Sequence, residues 1–199
     1  PLKHAGVGLA RKIGMDLTLP HLTSPQSLLF CTDADTQVSP DYLSKVKQIF
    51  KSQNTSAAVI GSSHLKSQDS AINDAIGQYE KFLKTTAEKI QRAGSPYGYV
   101  SMGSTMVCTA ESYCAVGGMP RKKTTEDFYF LQELTKYCGV HNIPETLVFP
   151  SPRPISRVYL GTGYQMEQIQ KGFDITSLYY SDDAYRYLSK WLQLGGIAW

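Results

Sequence analysis

An α/β fold is what this sequence predicts, on three observations. Short apolar runs of strand length recur, such as Leu28-Leu29-Phe30-Cys31 and Ala57-Ala58-Val59-Ile60. Segments with apolar residues at helical spacing separate them, and glycine, proline or acidic residues stand at the junctions. With 199 residues, 42% of them hydrophobic and 19% charged, the chain is globular and of a size for one domain. We expect a core over residues 6–149 and an irregular, then helical, extension over 150–199.

The elements follow in order. Residues 7–19 alternate as a helix, with Leu9, Ile13 and Leu17 on one apolar face. The strand that follows ends at Asp33. Ser39-Pro40-Asp41 then supplies a cap, a first-turn proline and an acid for a helix whose apolar face is Tyr42, Leu43, Val46, Ile49 and Phe50. Ala57 to Ile60 is a buried strand closed by Gly61. A long helix runs from about Ser70 to Ala93 on a stripe of Ile72, Ile76, Tyr79, Leu83, Ala87 and Ile90, with Gly94 as its stop. A loop rich in glycine, tyrosine and serine feeds the strand Thr105 to Cys108, and a short helix spans Glu111 to Ala115. Gly117-Gly118 and Arg121-Lys122-Lys123 lead to Thr124-Thr125-Glu126-Asp127, which opens a helix with Phe128, Leu131, Leu134 and Cys138 inward. Val140 to Phe149 is a strand placed at an edge or bulged by Pro144. Residues 181–194 carry tyrosine, leucine and tryptophan at helical spacing, a core pattern.

Composition excludes several classes. The net charge of +3 is dispersed, with no basic stripe interleaved with aromatics of the kind a nucleic-acid groove needs. No apolar stretch reaches the roughly 18 to 20 residues needed to span a bilayer, and no signal-peptide pattern opens the chain, so a cytoplasmic location is expected. The four cysteines form no Cys-x-x-Cys pair and are expected as reduced core residues.

The chemistry is concentrated in two acidic motifs. Asp33 and Asp35 follow an apolar strand one residue apart, so strand alternation would turn both to one side beyond its C-terminal end, where open α/β sheets bind ligands. Two carboxylates so close call for a cation, sugar hydroxyls or protons between them, and hard oxygens suit Mg²⁺ or Mn²⁺. The plain alternative is a strand-end turn in which one aspartate caps the next helix. At the second motif, Thr125 as a cap followed by Glu126 and Asp127 has an equally plain explanation in the helix dipole. Its functional reading is a carboxylate held on a helix as general base for an acceptor hydroxyl.

The order of these motifs resembles the family-2 glycosyltransferases. Gly6-Val7-Gly8-Leu9-Ala10-Arg11-Lys12-Ile13-Gly14 resembles the helix before the family's Asp-x-Asp strand. Gly103-Ser104-Thr105-Met106-Val107, Glu111 and Gly117-Gly118 resemble the segment before its acidic helix. The likeness covers about Gly6 to Val148. It implies a GT-A-like, Rossmann-related, mixed but mostly parallel sheet flanked by helices, lacking the N-terminal nucleotide-binding strands. It implies inverting, metal-assisted transfer from a nucleotide-diphosphate sugar to a carbohydrate or lipid-linked acceptor. Asp33 would contact the nucleotide, Asp35 would bind Mg²⁺ or Mn²⁺ on the diphosphate, and Arg11 would contact the nucleotide. Asp127 would be the base with Glu126 assisting, and Gly103 and Ser104 would floor the sugar site.

The histidine many relatives place after the last core strand is replaced by Val148-Phe149-Pro150-Ser151-Pro152-Arg153, so Arg153 becomes a candidate phosphate contact. No Gln-x-x-Arg-Trp signature is present, which implies a single addition. Without the family's first strands, the strand before Asp33 is expected to expose an edge. That edge would pair with a missing segment or a second copy, and the fragment alone is expected to be inactive. Two other readings stay open. A haloacid-dehalogenase-like phosphatase could use Asp33 and Asp35, with Lys171 and Asp182-Asp183 as its further groups. A non-catalytic assembly module could keep the glycosyltransferase fold.

Overall fold

The computed structural model describes residues 6–152 and 162–195. These form two compact units, one from residues up to His64 with Ser101–Ser151, the other from Leu65–Val100 with the described chain beyond Ser151. The long central helix thus belongs with the C-terminal helices.

The first unit contains α1 (Val7–Thr18), β1 (Leu28–Phe30), β2 (Gln37–Val38), α2 (Tyr42–Gln53) and β3 (Ala57–Ser62), then β4 (Met106–Thr109), α4 (Ala110–Ala115), α5 (Glu126–Cys138) and β5 (His141–Phe149). The second contains α3 (Ser70–Arg92), α6 (Thr162–Gln170) and α7 (Asp182–Leu194). One 3₁₀ turn, Leu19–His21, follows α1, and another, Ile175–Leu178, precedes α7.

The five strands make one mixed sheet in the order β1-β4-β3-β5-β2. Only β3 and β5 pair in parallel; β1 with β4, β3 with β4, and β2 with β5 are antiparallel. The expectation of a mostly parallel sheet is therefore corrected. Parallel pairing needs a crossover between neighbours, and here β4 lies between β1 and β3, running against both. The strand placed at an edge or bulged is internal and bulged: β5 lies between β3 and β2, and its register with β3 shifts on either side of Gly61. A Cβ on Gly61 would lie 2.6 Å from the carbonyl oxygens of Pro144 and Glu145, so glycine is what lets the bulge close.

Alternation along the strands builds the core. Ala58, Ile60 and Val107 face Tyr42, Val46 and Phe50 of α2, joined by Ile143, Leu147 and Val148 from β5. Phe30 meets the Tyr42 ring edge-on at 5.4 Å. Each such fully buried side chain contributes roughly 1.5–3 kcal/mol by leaving water. Leu43, expected on this face, is 54% exposed. On the opposite face the Cys31 thiol lies 3.6 Å from the sulfur of Met15 on α1, and Tyr113 of α4 packs edge-on against Phe130 of α5.

Three helix faces differ from expectation. α1 buries Gly8 and Met15 and leaves Ile13 and Leu17 exposed. α5 buries Glu126, Phe130, Leu131, Leu134 and Thr135, with Phe128 and Cys138 outward. α7 buries only Leu192, and Tyr187, Trp191 and Leu194 face outward instead of forming a core. In the second unit Ala75 and Ile76 of α3 enclose Met166 of α6. Gly94, at φ +92°, ends α3 as expected. Cys31 and Cys108 are buried free thiols, whereas Cys114 and Cys138 are free and exposed. Among the described residues no helix is long and apolar enough to cross a membrane.

Candidate functional site

Arg11 organises the site. It lies one turn along α1 from Gly8, whose missing side chain allows close approach to the loop ahead of α5. A Cβ there would stand 2.5 Å from the Pro120 oxygen, 2.6 Å from the Lys122 oxygen and 2.9 Å from the Glu126 Cβ. The Gly8 N–H donates to the Lys122 carbonyl at 3.2 Å. With the helix seated, Arg11 Nε donates to Glu126 Oε1 at 3.1 Å and its terminal nitrogen donates to Asp33 Oδ1 at 2.5 Å. The side chains of Arg11 and Glu126 are only 10% and 5% exposed, whereas Asp33 keeps 43%. A half-open carboxylate and a buried one thus share one planar, multiply donating cation.

The first acidic motif is a turn, not a strand end. β1 finishes at Phe30, and the Thr36 N–H donates to the Asp33 carbonyl at 3.0 Å, so alternation does not align the two aspartates. Asp35 is exposed and makes no ion pair among the described residues. Thr36 closes the turn, and its buried hydroxyl has no partner among the described residues. Gly103 is buried against the guanidinium of Arg11, and a side chain there would occupy its place. Ser104, also buried, follows immediately.

The second motif is not the plain threonine cap. Thr125 precedes α5 at φ +61° and its hydroxyl donates to the Thr124 carbonyl rather than accepting from an N–H of the first turn. A left-handed β-branched residue is costly, of order 1–3 kcal/mol, and such strain clusters at functional sites. Glu126 then points inward to Arg11. Asp127 is half-buried, with Oδ1 accepting from the Phe128 N–H at 2.8 Å.

Both carboxyl groups titrate above their ordinary range. For Glu126 burial is the chief cause, reinforced by the neighbouring Asp127 charge and opposed by Arg11. For Asp127 burial again dominates, opposed by the Phe128 N–H and by Arg11, with Asp33 adding a smaller upward push. Burial works against the charge of Arg11, but Asp33 and Glu126 more than restore it and its pKa is raised. Beneath them burial pushes the Cys31 thiol up to about 11, which keeps it neutral.

The structure therefore brings Arg11, Asp33, Gly103, Glu126 and Asp127 to one place, with Ser104 following Gly103 directly and Asp35 two residues after Asp33. Arg153 lies outside the described residues. Among the described residues no three of His, Cys, Asp and Glu converge as a metal site. Two features escaped the sequence reasoning. Arg11 holds carboxylates instead of presenting a free cation, a role spacing along one helix does not signal. The wedge at Gly8 was visible only as a glycine pair, Gly6 and Gly8, at a helix start.

Lys171 pairs with Glu167 at 2.6 Å, Asp182 with Lys89 at 2.6 Å and Asp183 with Arg186 at 3.0 Å, all within the second unit. No protein-family model matches the chain, and no curated protein matches it.

Proposed function

We propose that this protein transfers a sugar from a nucleotide-diphosphate sugar to an acceptor hydroxyl, with inversion and a single addition. One observation carries the reading: Arg11 ties the Asp-x-Asp turn to the Glu-Asp helix, joining two acidic motifs distant in sequence. The motif order that resembles family-2 glycosyltransferases supplies the reaction class.

In this reading the half-buried Asp127 takes the proton of the acceptor hydroxyl as its oxygen bonds to the anomeric carbon, and the bond from that carbon to the diphosphate breaks. A raised pKa makes Asp127 a stronger base than an ordinary aspartate. Glu126, held by Arg11, fixes the start of the helix rather than meeting substrate. Asp33 keeps an open side for the nucleotide, while Gly103 and Ser104 floor the sugar site. Asp35 is exposed, and its hard carboxylate oxygens would hold Mg²⁺ or Mn²⁺ on the diphosphate. When bound, such a cation neutralises the departing diphosphate. The phosphatase alternative is weaker, because its nucleophile, Asp33, is already gripped by Arg11 and its further groups are satisfied locally.

Thermal denaturation of the full-length protein with Mn²⁺ and uridine or guanosine diphosphate tests the donor site. A bound nucleotide at a hundred times its Kd stabilises by about 2.7 kcal/mol. We expect a nucleotide-selective, Mn²⁺-dependent rise in Tm that Asp35→Ala abolishes. No rise with any nucleoside diphosphate would overturn the reading.

A further inference from the structure

Beside the acidic site lies a second feature that the proposed chemistry does not use. A groove of about 490 Å³ opens between α1, the 116–122 loop and α5, lined by Lys12, Arg121, Lys122, Tyr129 and Glu133 among others. Its charges do not cancel. Lys12 Nζ is shared with Asp16 at 3.1 Å, and Glu133 is neutralised by Lys136 at 2.7 Å. Among the described residues neither Arg121 nor Lys122 forms an ion pair, and the one carboxylate that feels Arg121, Asp16, is already held by Lys12. The Lys122 ammonium sits 3.8 Å above the Tyr129 ring, a contact that orients a cation without neutralising it.

The loop is held in place. Lys122 is fastened through its carbonyl to the Gly8 N–H and through its own N–H to Pro120. Gly118, at φ +77°, brings its backbone against Lys12, where a Cβ would stand 2.8 Å from Nζ. A guanidinium fork and a point-charge ammonium on a fixed loop are the partners a phosphate dianion takes. The groove is too local for a nucleic-acid backbone, which needs a continuous basic track.

Its position sets it apart from the acidic residues. The groove runs along α5 beyond Asp127, and Gly8 is wedged between the Lys122 carbonyl and Glu126. Its lining contains none of Asp33, Asp35, Gly103 or Ser104. Neither Glu126 nor Asp127 lines it either, so the groove is separate from both acidic motifs.

We propose that this groove binds a phosphate group at a site separate from the donor residues of the transferase reading above, with Arg121 and Lys122 as its principal ligands. The test is calorimetric titration of the full chain with inorganic phosphate and pyrophosphate at low ionic strength. We expect saturable binding without Mn²⁺, weakened about tenfold or more in Arg121→Ala/Lys122→Ala, since two charge-assisted contacts are lost. Binding should persist in Asp35→Ala and alongside uridine or guanosine diphosphate with Mn²⁺. Both removed side chains are exposed, so the variant should stay folded, with Tm lowered by no more than the lost Lys122–Tyr129 contact.

Absence of binding, or equal binding by the double variant, overturns the site. Displacement by the nucleoside diphosphate overturns a separate site and gives the groove to the donor. Failure of the Mn²⁺-dependent nucleotide shift with phosphate binding intact would sink the transferase reading while leaving a phosphate site in place.

Discussion

Arg11 carries an electrostatic burden out of proportion to one side chain. Taking its charge and that of Glu126 out of water is tolerable only because each satisfies the other, and removing one partner from such a pair costs about 3–5 kcal/mol. Asp127 lacks this partner and shows the cost in its titration. Burial first, and the Asp33 charge to a lesser degree, hold its proton on to higher pH than in the unfolded chain. The stability linked to Asp127 is therefore fully present below the unfolded carboxyl pKa and is lost as pH rises through the raised folded value. Asp127→Asn cannot ionise and escapes that loss. It should gain on the parent protein in unfolding free energy between about pH 3 and pH 7, measured by urea denaturation. A difference that stays flat with pH would mean that Asp127 titrates normally.

At the scale of elements, a buried charge sets the rotation of two helices. Because Glu126 turns inward to meet Arg11, residues 130 and 134, one and two turns on, also face inward. Phe128, about 200° around the axis from Glu126, must face water. On α1 the inward face is Gly8, Arg11 and Met15, so the more apolar stripe of Ile13 and Leu17 is left outside. Two glycines on that helix make the point testable. Gly8→Ala meets the backbone oxygens of residues 120 and 122, which cannot swing aside, and should cost roughly 1–3 kcal/mol. Gly14→Ala meets nothing within 4 Å and should gain about 0.5–1 kcal/mol from helix propensity. Equal stability of the two variants in urea would show that α1 is not seated through Gly8.

At the scale of the whole molecule, the sheet manages its open edges by brevity. β2 has two residues and β1 three, and short edges offer little template for association. The Cys31 N–H donates to the Met106 carbonyl, and the Ala110 N–H to the Ser27 carbonyl. In an antiparallel ladder this leaves Leu29 bonded to Cys108 and turns the amides of Leu28 and Phe30 to the open side. Hydrogen exchange should therefore be faster at Leu28 and Phe30 than at Leu29 and Cys31 in dilute protein. Equal protection at all four would mean that the edge of β1 is covered, as expected if a second strand pairs there.

What was legible in the sequence was local. The extent of α3, its stop at Gly94, the strands around Val59 and Val107, and the bulge at Pro144 all follow from periodicity and near-neighbour sterics. The identities of Arg11, Asp33, Glu126 and Asp127 as a group to watch came from motif order. The sequence by itself thus determined the elements and named the polar residues that needed a reason. Only the tertiary structure decided the order and direction of the strands, which faces of α1 and α5 point inward, the strained backbone of Thr125, and the role of Arg11 as a clamp on two carboxylates. Each depends on partners far along the chain, and a buried charge with two waiting acids outweighs the apolar periodicity from which a helix face is otherwise read.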